Sequence, residues 1–565
     1  MKKQKTTGTK KQFKSQQNTF LENKEKFILA CLMILTCLAF APQLSNNFVN
    51  WDDDGYIYNN PEIQSMSAHN IAYFFNPKTF IQGNYHPLTM ISFCIEYHFF
   101  KVNPLVYHLD NLLLHLMNVL LVYFILKMLT KNNELSLITA LLFAIHPMRV
   151  ESVAWAAERK DVLYTFFFLL SLYYYLIWKK AAKMNHYVAS IVLFICSILS
   201  KGQAVVLAPV LLLIDYYMQQ KMDKKLILEK IPFFVIALIS GLITMSAQGA
   251  SLAGYTGVKL TILDRFLVAN YGLMMYLYKL IIPLNLNCFN SYPAHIDGIF
   301  YIAPIVVLAL FIVLYVFGKR SKEIVFGAAF FIVTISIVLQ FLPIGDAVIA
   351  DRYTYIPYLG LFIIMAYAFT KSSIMVKTVG IGVCIVFVAL TFNQTKVWHD
   401  NKSLWEQVLN NNPENNIALS NLGQYYFEGQ QPDIAFDYFT KAIQSKPDYF
   451  IPYFNRGNIH FNKGHYELAL ADFTNALRYK KDFPIGHRHR AVVYSTMGKI
   501  DLAIADLDSA IKIDPNYFDA YQDRSGLHQR KGENELAKAD AEKCAQLKPI
   551  NNSPAAPAPQ VVPKF

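Results

Sequence analysis

Charge-free apolar runs recur through the first 395 residues, at 27–42, 162–178, 231–247, 298–318, 324–345, 356–370 and 378–395. Shorter or more polar runs lie at 106–126, 135–146, 187–199 and 203–214. A helix needs roughly 20 residues to cross a hydrocarbon core about 30 Å thick, so the short runs must borrow flanking residues or be shielded by neighbours. The pattern predicts a polytopic, all-α membrane region with about eleven spanning helices. A further helix-like stretch, 264–283, is expected to enter and leave from one side without crossing.

Beyond residue 410 the pattern becomes a 34-residue repeat. Gly423, Ala435, Phe439, Ala442 and Pro447 are followed one period later by Gly457, Ala469, Phe473 and Ala476. Ala503, Ala510 and Pro515 come next, and Ala537 and Pro549 close a fourth unit. Small residues let paired helices approach, the aromatic wedges between units, and proline ends the second helix. Gly464, Gly498 and Gly532 recur between the paired helices. This predicts four tetratricopeptide repeats over 416–550, an α-solenoid, after a linker at 396–415. The Pro- and Ala-rich segment 551–565 reads as a disordered tail.

Composition agrees with a membrane region: 54% of residues are hydrophobic and only 16% charged. The net charge of +12 sits in short basic clusters between apolar runs, a topological signal rather than a nucleic-acid surface. The tail 1–26 holds eight Lys against two Glu. Alternate connections carry Lys127 and Lys131, then Lys179, Lys180 and Lys183, then Lys221, Lys224, Lys225 and Lys230. Lys319, Arg320 and Lys322 follow, and finally Lys371 and Lys377. With these in the cytoplasm, the membrane region 27–395 presents outer loops 43–105, 146–161 and 346–356, and the repeats lie on the same outer side. A multi-pass bacterial inner-membrane protein is expected. Ala39-Phe40-Ala41 has the form of a signal-peptidase site, but a retained first helix is expected. The seven Cys show no metal-ligand or CxxC spacing.

Three outer stretches concentrate residues capable of chemistry. Trp51-Asp52-Asp53-Asp54-Gly55-Tyr56 follows the first helix, where adjacent carboxylates are solvated in a turn or are used. One can serve as general base to an acceptor hydroxyl while its neighbour orients it or binds a metal. His146 to Asp161 brings Glu151, Glu158, Arg159 and Lys160; if 151–161 is one helix, Glu151, Glu158 and more loosely Arg159 share a face. Arg and Lys at a membrane surface suit a phosphate, although an interfacial helix with internal ion pairs has the same composition. The third stretch is Asp351-Arg352-Tyr353-Thr354-Tyr355-Ile356-Pro357, and Lys201 and Lys279 add cations at membrane depth.

An ordered series of motifs runs through these stretches. It comprises Trp51-Asp52-Asp53, Tyr85-His86-Pro87-Leu88-Thr89, His108 with Asn111 and His115, and His146-Pro147 with Glu151 and Val153. Arg159 with Asp161, Ser200-Lys201, and Arg352 with Tyr355-Ile356-Pro357 complete it. Followed by the repeats, the series resembles the transmembrane-and-tetratricopeptide-repeat (TMTC) O-mannosyltransferases and their bacterial relatives, of the GT-C glycosyltransferase class. This chain differs from eukaryotic members in its fewer repeats, in Trp51 for His, in His86 for Arg, and in Gly202 for an acidic residue.

The resemblance implies a glycosyltransferase that takes a sugar, mannose in this family, from a polyprenyl-phosphate carrier and transfers it with inversion to an extracytoplasmic acceptor, a protein Ser or Thr hydroxyl. Asp52 or Asp53 would be the general base, with Glu151 beside them. Arg159, Lys160, Arg352 and Lys201 would hold the donor phosphate, and His86, His146 and Tyr353 the acceptor or sugar. No metal or other cofactor is expected; three consecutive Asp leave a divalent ion as the alternative. The repeats would engage a protein acceptor or partner, and no nucleic acid is expected. Other readings are a transferase acting on a glycolipid or polysaccharide, a flippase, and a non-catalytic scaffold anchoring the repeats.

Overall fold

The computed structural model describes residues 5–221, 223–252, 260–292, 296–319, 321–341 and 347–547. Arg320 and the expected tail 551–565 lie outside them. Two compact units divide between Leu404 and Trp405.

In the first unit, α1 (Lys5–Phe40) leads into a region holding α2 (Ala68–Phe75) and α3 (Pro87–Phe100). Then come α4 (Pro104–Thr130), α5 (Asn133–Ile145), the short α6 (Val150–Ala154), α7 (Arg159–Ala181), α8 (Met184–Ser200) and α9 (Leu207–Tyr217). They are followed by α10 (Lys224–Leu228), α11 (Ile231–Leu252), α12 (Ile262–Ile281), α13 (Gly298–Gly318), α14 (Lys322–Ile335), α15 (Tyr358–Thr370) and α16 (Ile374–Val397). The chain divides within α17 (Asn401–Asn411).

Among the described residues, six helical segments are long and apolar enough to cross a membrane: Asn23–Ser45, Pro104–Thr130, Ala156–Ala181, Lys224–Ser246, Gly298–Gly318 and Ile374–Val397. Asn133–Ile145 with Pro147–Ala154, bent by 63°, makes a seventh if the two form one span. By length and composition the expected count of about eleven is therefore not reached. The runs at 187–199, 203–214 and 356–370 form shorter apolar helices. The run at 324–345 ends its α-helix at Ile335, continuing in a 3-10 turn, Ser336–Val338. The stretch expected not to cross, α12, is not among the six.

Two features fix the frame of this unit. A Cβ built on Gly327 would lie 2.4 Å from the Gly360 carbonyl, and one on Gly360 would lie 2.2 Å from that of Gly327. Backbones of α14 and α15 thus meet directly, as small residues permit between helices in lipid. Outside the helices, β1 (Asn290–Ser291) pairs antiparallel with β2 (Ala347–Ile349). Tyr276 Oη accepts from the Ala350 N–H at 3.2 Å, and Lys279 Nζ meets Asp351 Oδ1 at 2.8 Å. These contacts lock the end of α12 to the turn carrying Arg352.

The second unit stacks four helix pairs: α18 and α19 (Asn416–Glu428, Pro432–Ser445), α20 and α21 (Phe450–Asn462, Tyr466–Tyr479), α22 and α23 (Pro484–Thr496, Ile500–Ile513), α24 and α25 (Phe518–Lys531, Asn534–Gln546). Ala435, Ala469, Ala503 and Ala537 are buried at the pair interfaces, with Phe439, Phe473 and Leu507 wedged beside them. Gly464, Gly498 and Gly532 turn between paired helices at φ near +77°, at 76°, 75° and 79°. The first pair uses Gln430 there, at φ 58°.

A charge ladder overlays the repeat. Arg456, Arg490 and Arg524 each grip the aspartate sixteen residues on, Asp472, Asp506 and Asp540, through two nitrogens at 2.6–2.9 Å. Each also reaches back sixteen residues, to Thr440, Thr474 and Asp508 in the preceding pair. Replacing Arg490 by Ala removes a forked, charge-assisted link, and we expect about 1.5–3 kcal/mol lost across α22 and α23. Hydrogen exchange of the full chain should show faster exchange there, with α18 and α19 little changed.

Candidate functional site

The chain from 146 to 161 is not one helix. Trp155 is extended, at φ −83° and ψ 122°, between α6 and a 3-10 turn, Ala156–Glu158, that opens α7. The condition for Glu151, Glu158 and more loosely Arg159 to share a face, one helix over 151–161, is therefore not met. The break turns Glu158 and Lys160 one way and Arg159 the other.

Glu158 is fully buried and faces three cations from three segments. Lys201, the residue that caps α8, meets its Oε1 at 2.6 Å; Lys160 Nζ lies 3.3 Å and Arg352 Nε 3.9 Å from Oε2. Lys201 also meets Asp161 Oδ1 at 2.6 Å, and Ser152 Oγ donates to Asp161 Oδ2 at 2.8 Å. Arg352 bonds Glu151 twice, through its backbone N–H at 2.8 Å and through Nη1. Its guanidinium lies over Trp155 and Tyr353, 5.5 and 5.1 Å from the ring centres, and Lys160 lies 4.7 Å over Tyr56. Burial would ordinarily disfavour each of these charges; their mutual pairing makes the cluster tolerable.

The two candidate bases differ. Asp53 is fully buried, accepting from the Val49 N–H on Oδ2 and the Ala157 N–H on Oδ1, both at 2.8 Å. It fastens the Asp52 turn to the start of the 3-10 turn that holds Glu158. Burial, helped by Asp52 and Asp54, pushes its carboxyl up to about 8 against those two bonds. Asp52 is half-buried and sits at φ 79°, in the left-handed region. A π-helical turn, Asp54–Tyr58, follows. Both features gather at functional sites. Burial raises its carboxyl, Lys160 and Arg352 oppose the rise, and Asp54 and Glu158 add to it. Lys160, Arg352 and Glu158 therefore lie near enough to Asp52 to act on its charge.

His86, at the N-terminal cap of α3, sets its ring edge-on to Tyr56 at 5.1 Å. It is 4% exposed, and its Nε2 has no hydrogen-bond partner among the described residues. Burial, then Lys160 and Lys201, lower it to about 3, so the imidazole is neutral and able to bond an uncharged polar group. Tyr353 flanks Arg352. Asp52, Glu151, Lys160, Lys201, Arg352, Tyr353 and His86 thus converge, and Asp53 braces them.

Two expected members lie elsewhere. Arg159 is spent on Glu96 at 2.8 Å, on the Tyr107 carbonyl at 2.8 Å and on Asn111 Oδ1. His146 accepts from the Met148 N–H and donates from Nε2 to the Leu280 carbonyl at 3.0 Å, boxed by Tyr358, Phe362 and Phe387. Glu158 and Asp161 were visible as charges but not as the centre of the cluster, because Lys201 and Arg352, which gather on them, are 40 or more residues distant. Among the described residues no group of three or more His, Cys, Asp or Glu could hold a metal ion.

Residues 90–249 match the family described as dolichyl-phosphate-mannose-protein mannosyltransferase, a stretch with Lys160 and Lys201 but not Asp52 or Arg352. Residues 402–450, 451–483, 489–517 and 518–551 match tetratricopeptide repeats. A protein O-mannosyl-transferase of Caenorhabditis elegans is 24% identical over 431 residues, 70% of this chain and 59% of that protein. Protein O-mannosyl-transferase TMTC1 of Mus musculus is 34% identical over 148 residues, 25% of this chain and 16% of that one. TMTC3 of Homo sapiens is 23% identical over 407 residues, 64% and 44% respectively. The chain spans less than two thirds of the length of each of these relatives. In sequence the chain, a mannosyltransferase-type region followed by tetratricopeptide repeats, resembles the TMTC protein O-mannosyl-transferases.

Proposed function

We propose that this chain is a membrane glycosyltransferase moving a sugar, mannose by analogy with its relatives, from a polyprenyl phosphate to a hydroxyl of an extracytoplasmic protein. The observation carrying this reading is the gathering of Lys160, Lys201 and Arg352 around Glu158 from three separate stretches of chain, with Asp52 near enough for Lys160 and Arg352 to act on its charge. Asp52 takes the proton of the acceptor hydroxyl as its oxygen attacks the anomeric carbon. The bond from that carbon to the phosphate oxygen breaks, and the phosphate leaves with the electron pair. Lys160, Lys201 and Arg352 supply positive charge where the leaving group becomes more negative, the term that usually dominates such catalysis. His86 offers the sugar or acceptor a neutral hydrogen-bonding nitrogen. The cations already answer Glu151, Glu158 and Asp161, so the phosphate competes with Glu158 for them.

In this reading the shorter apolar helices, shielded by neighbours, complete about eleven crossings. The basic connections face the cytoplasm of a bacterial cell, and the site and repeats face outward, where the repeats present protein acceptors. The test is transfer by purified protein supplied with polyprenyl-phosphate mannose and an unfolded secreted polypeptide. Arg352→Ala should lower the rate about 10²–10³-fold, since one preorganised charge is lost. Absence of any hexose on the acceptor, or an unchanged rate in Arg352→Ala, would overturn it.

A further inference from the structure

We infer that Arg149 is a positioning residue for this site, setting Arg352 without touching substrate; this rests on the function proposed above. Arg149 is fully buried, and among the described residues it forms no ion pair. Its charge goes instead to one turn. Nη1 donates to the carbonyls of Thr354 at 3.0 Å and Tyr355 at 2.6 Å, and Nη2 donates to Thr354 Oγ1 at 2.6 Å. Four rings, Phe143, Tyr355, Tyr358 and Phe362, lie 5.2–5.9 Å from the guanidinium carbon. A buried cation answered only by carbonyls, a hydroxyl and ring faces is an expensive way to fill space. It is a good way to fix a backbone, because the guanidinium holds two successive carbonyls through Nη1 while its other arm, Nη2, holds the Thr354 hydroxyl.

The turn so held is the one that carries the cation. Its 3-10 turn, Asp351–Thr354, contains Arg352, two residues before the first carbonyl that Arg149 grips. From other sides the same turn is held by Lys279 on Asp351, by Glu151 on the Arg352 N–H, and by His115 Nδ1 on Tyr355 Oη at 2.6 Å. Arg149 is the grip on its last residue and on the one after it. It lies two residues before Glu151, so one short segment fixes both the turn's backbone and the carboxylate that orients the Arg352 side chain.

A double-mutant cycle on the full-length protein tests this. Arg149→Lys keeps the charge and loses the fork, and it should raise the KM for polyprenyl-phosphate mannose, by up to about 100-fold. In an Arg352→Ala background the same change should add little to that KM, because the group being positioned is gone. Effects on donor KM that multiply in the double variant would overturn the proposal. So would an Arg149→Lys protein with unchanged donor KM. If Arg149→Lys fails to insert, Thr354→Val removes the Oγ1 that accepts from Arg149 and donates to the Asp351 carbonyl, loosening the same turn, and the same cycle with Arg352→Ala decides. Should Arg352→Ala by itself leave both donor KM and kcat unchanged, the donor-site reading fails rather than the positioning one.

Discussion

Replacing Asp52 by Asn should lower sugar transfer at least about 100-fold, the size of a lost general base, while the protein still inserts and folds. Asn is the right replacement on two counts. It keeps the volume while removing the basic oxygen, and like Asp it tolerates the left-handed backbone at φ 79°. The pH profile adds a second readout. The carboxyl of Asp52 is raised, chiefly by burial, above its ordinary value of about 4. The base works only when ionised, so kcat/KM should fall on acidification through that raised value, and Asp52→Asn should flatten this acidic limb. An Asn variant with near-full activity and the same limb would remove Asp52 from the chemistry. Asp53→Asn should behave differently: it disturbs the bonds to the Val49 and Ala157 N–H groups and costs stability together with activity.

The second large effect is expected at Lys201. Its ammonium meets Glu158 and Asp161, each at 2.6 Å, and both carboxylates are fully buried. Removing one partner of such a group leaves buried charge unanswered, typically a loss of about 3–5 kcal/mol. Lys201→Met should therefore lower the thermal midpoint in detergent and abolish transfer. Adding Asp161→Asn removes one of the orphaned charges, so the double variant should regain part of the stability and none of the transfer. If transfer returns along with stability, Lys201 serves the fold alone.

Much of this architecture could be read from the chain. Charge-free runs locate the long helices α7, α11, α13 and α16, because few other settings hold that many apolar residues without charge, and the more polar run at 106–126 locates α4. The 34-residue period gave the helix pairs down to the left-handed turns at Gly464, Gly498 and Gly532. The break at Trp155 was not legible: residues 150–161 contain neither glycine nor proline, and the helix is interrupted by tertiary contacts that no local signal announces. That break decides the site. Arg159 and Lys160 are neighbours in sequence, but successive helical side chains point about 100° apart, so one goes to Glu96 and the other to Glu158. The role of Arg149 was hidden similarly, since its partners lie about 205 residues further on.

The arginine ladder of the repeats bears on how such an array changes length. Each rung joins an arginine to an acceptor sixteen residues before it and an aspartate sixteen after, so all three recur with the 34-residue unit. Duplication or loss of any internal unit in the gene would keep every rung complete, with no buried aspartate orphaned. The first unit carries Leu422 and Tyr438 at the arginine and aspartate positions, and so begins the ladder without needing a predecessor. At the other end Glu542 stands, exposed, where Thr440, Thr474 and Asp508 stand in earlier units. A repeat gained at that end by recombination would find its acceptor already in place.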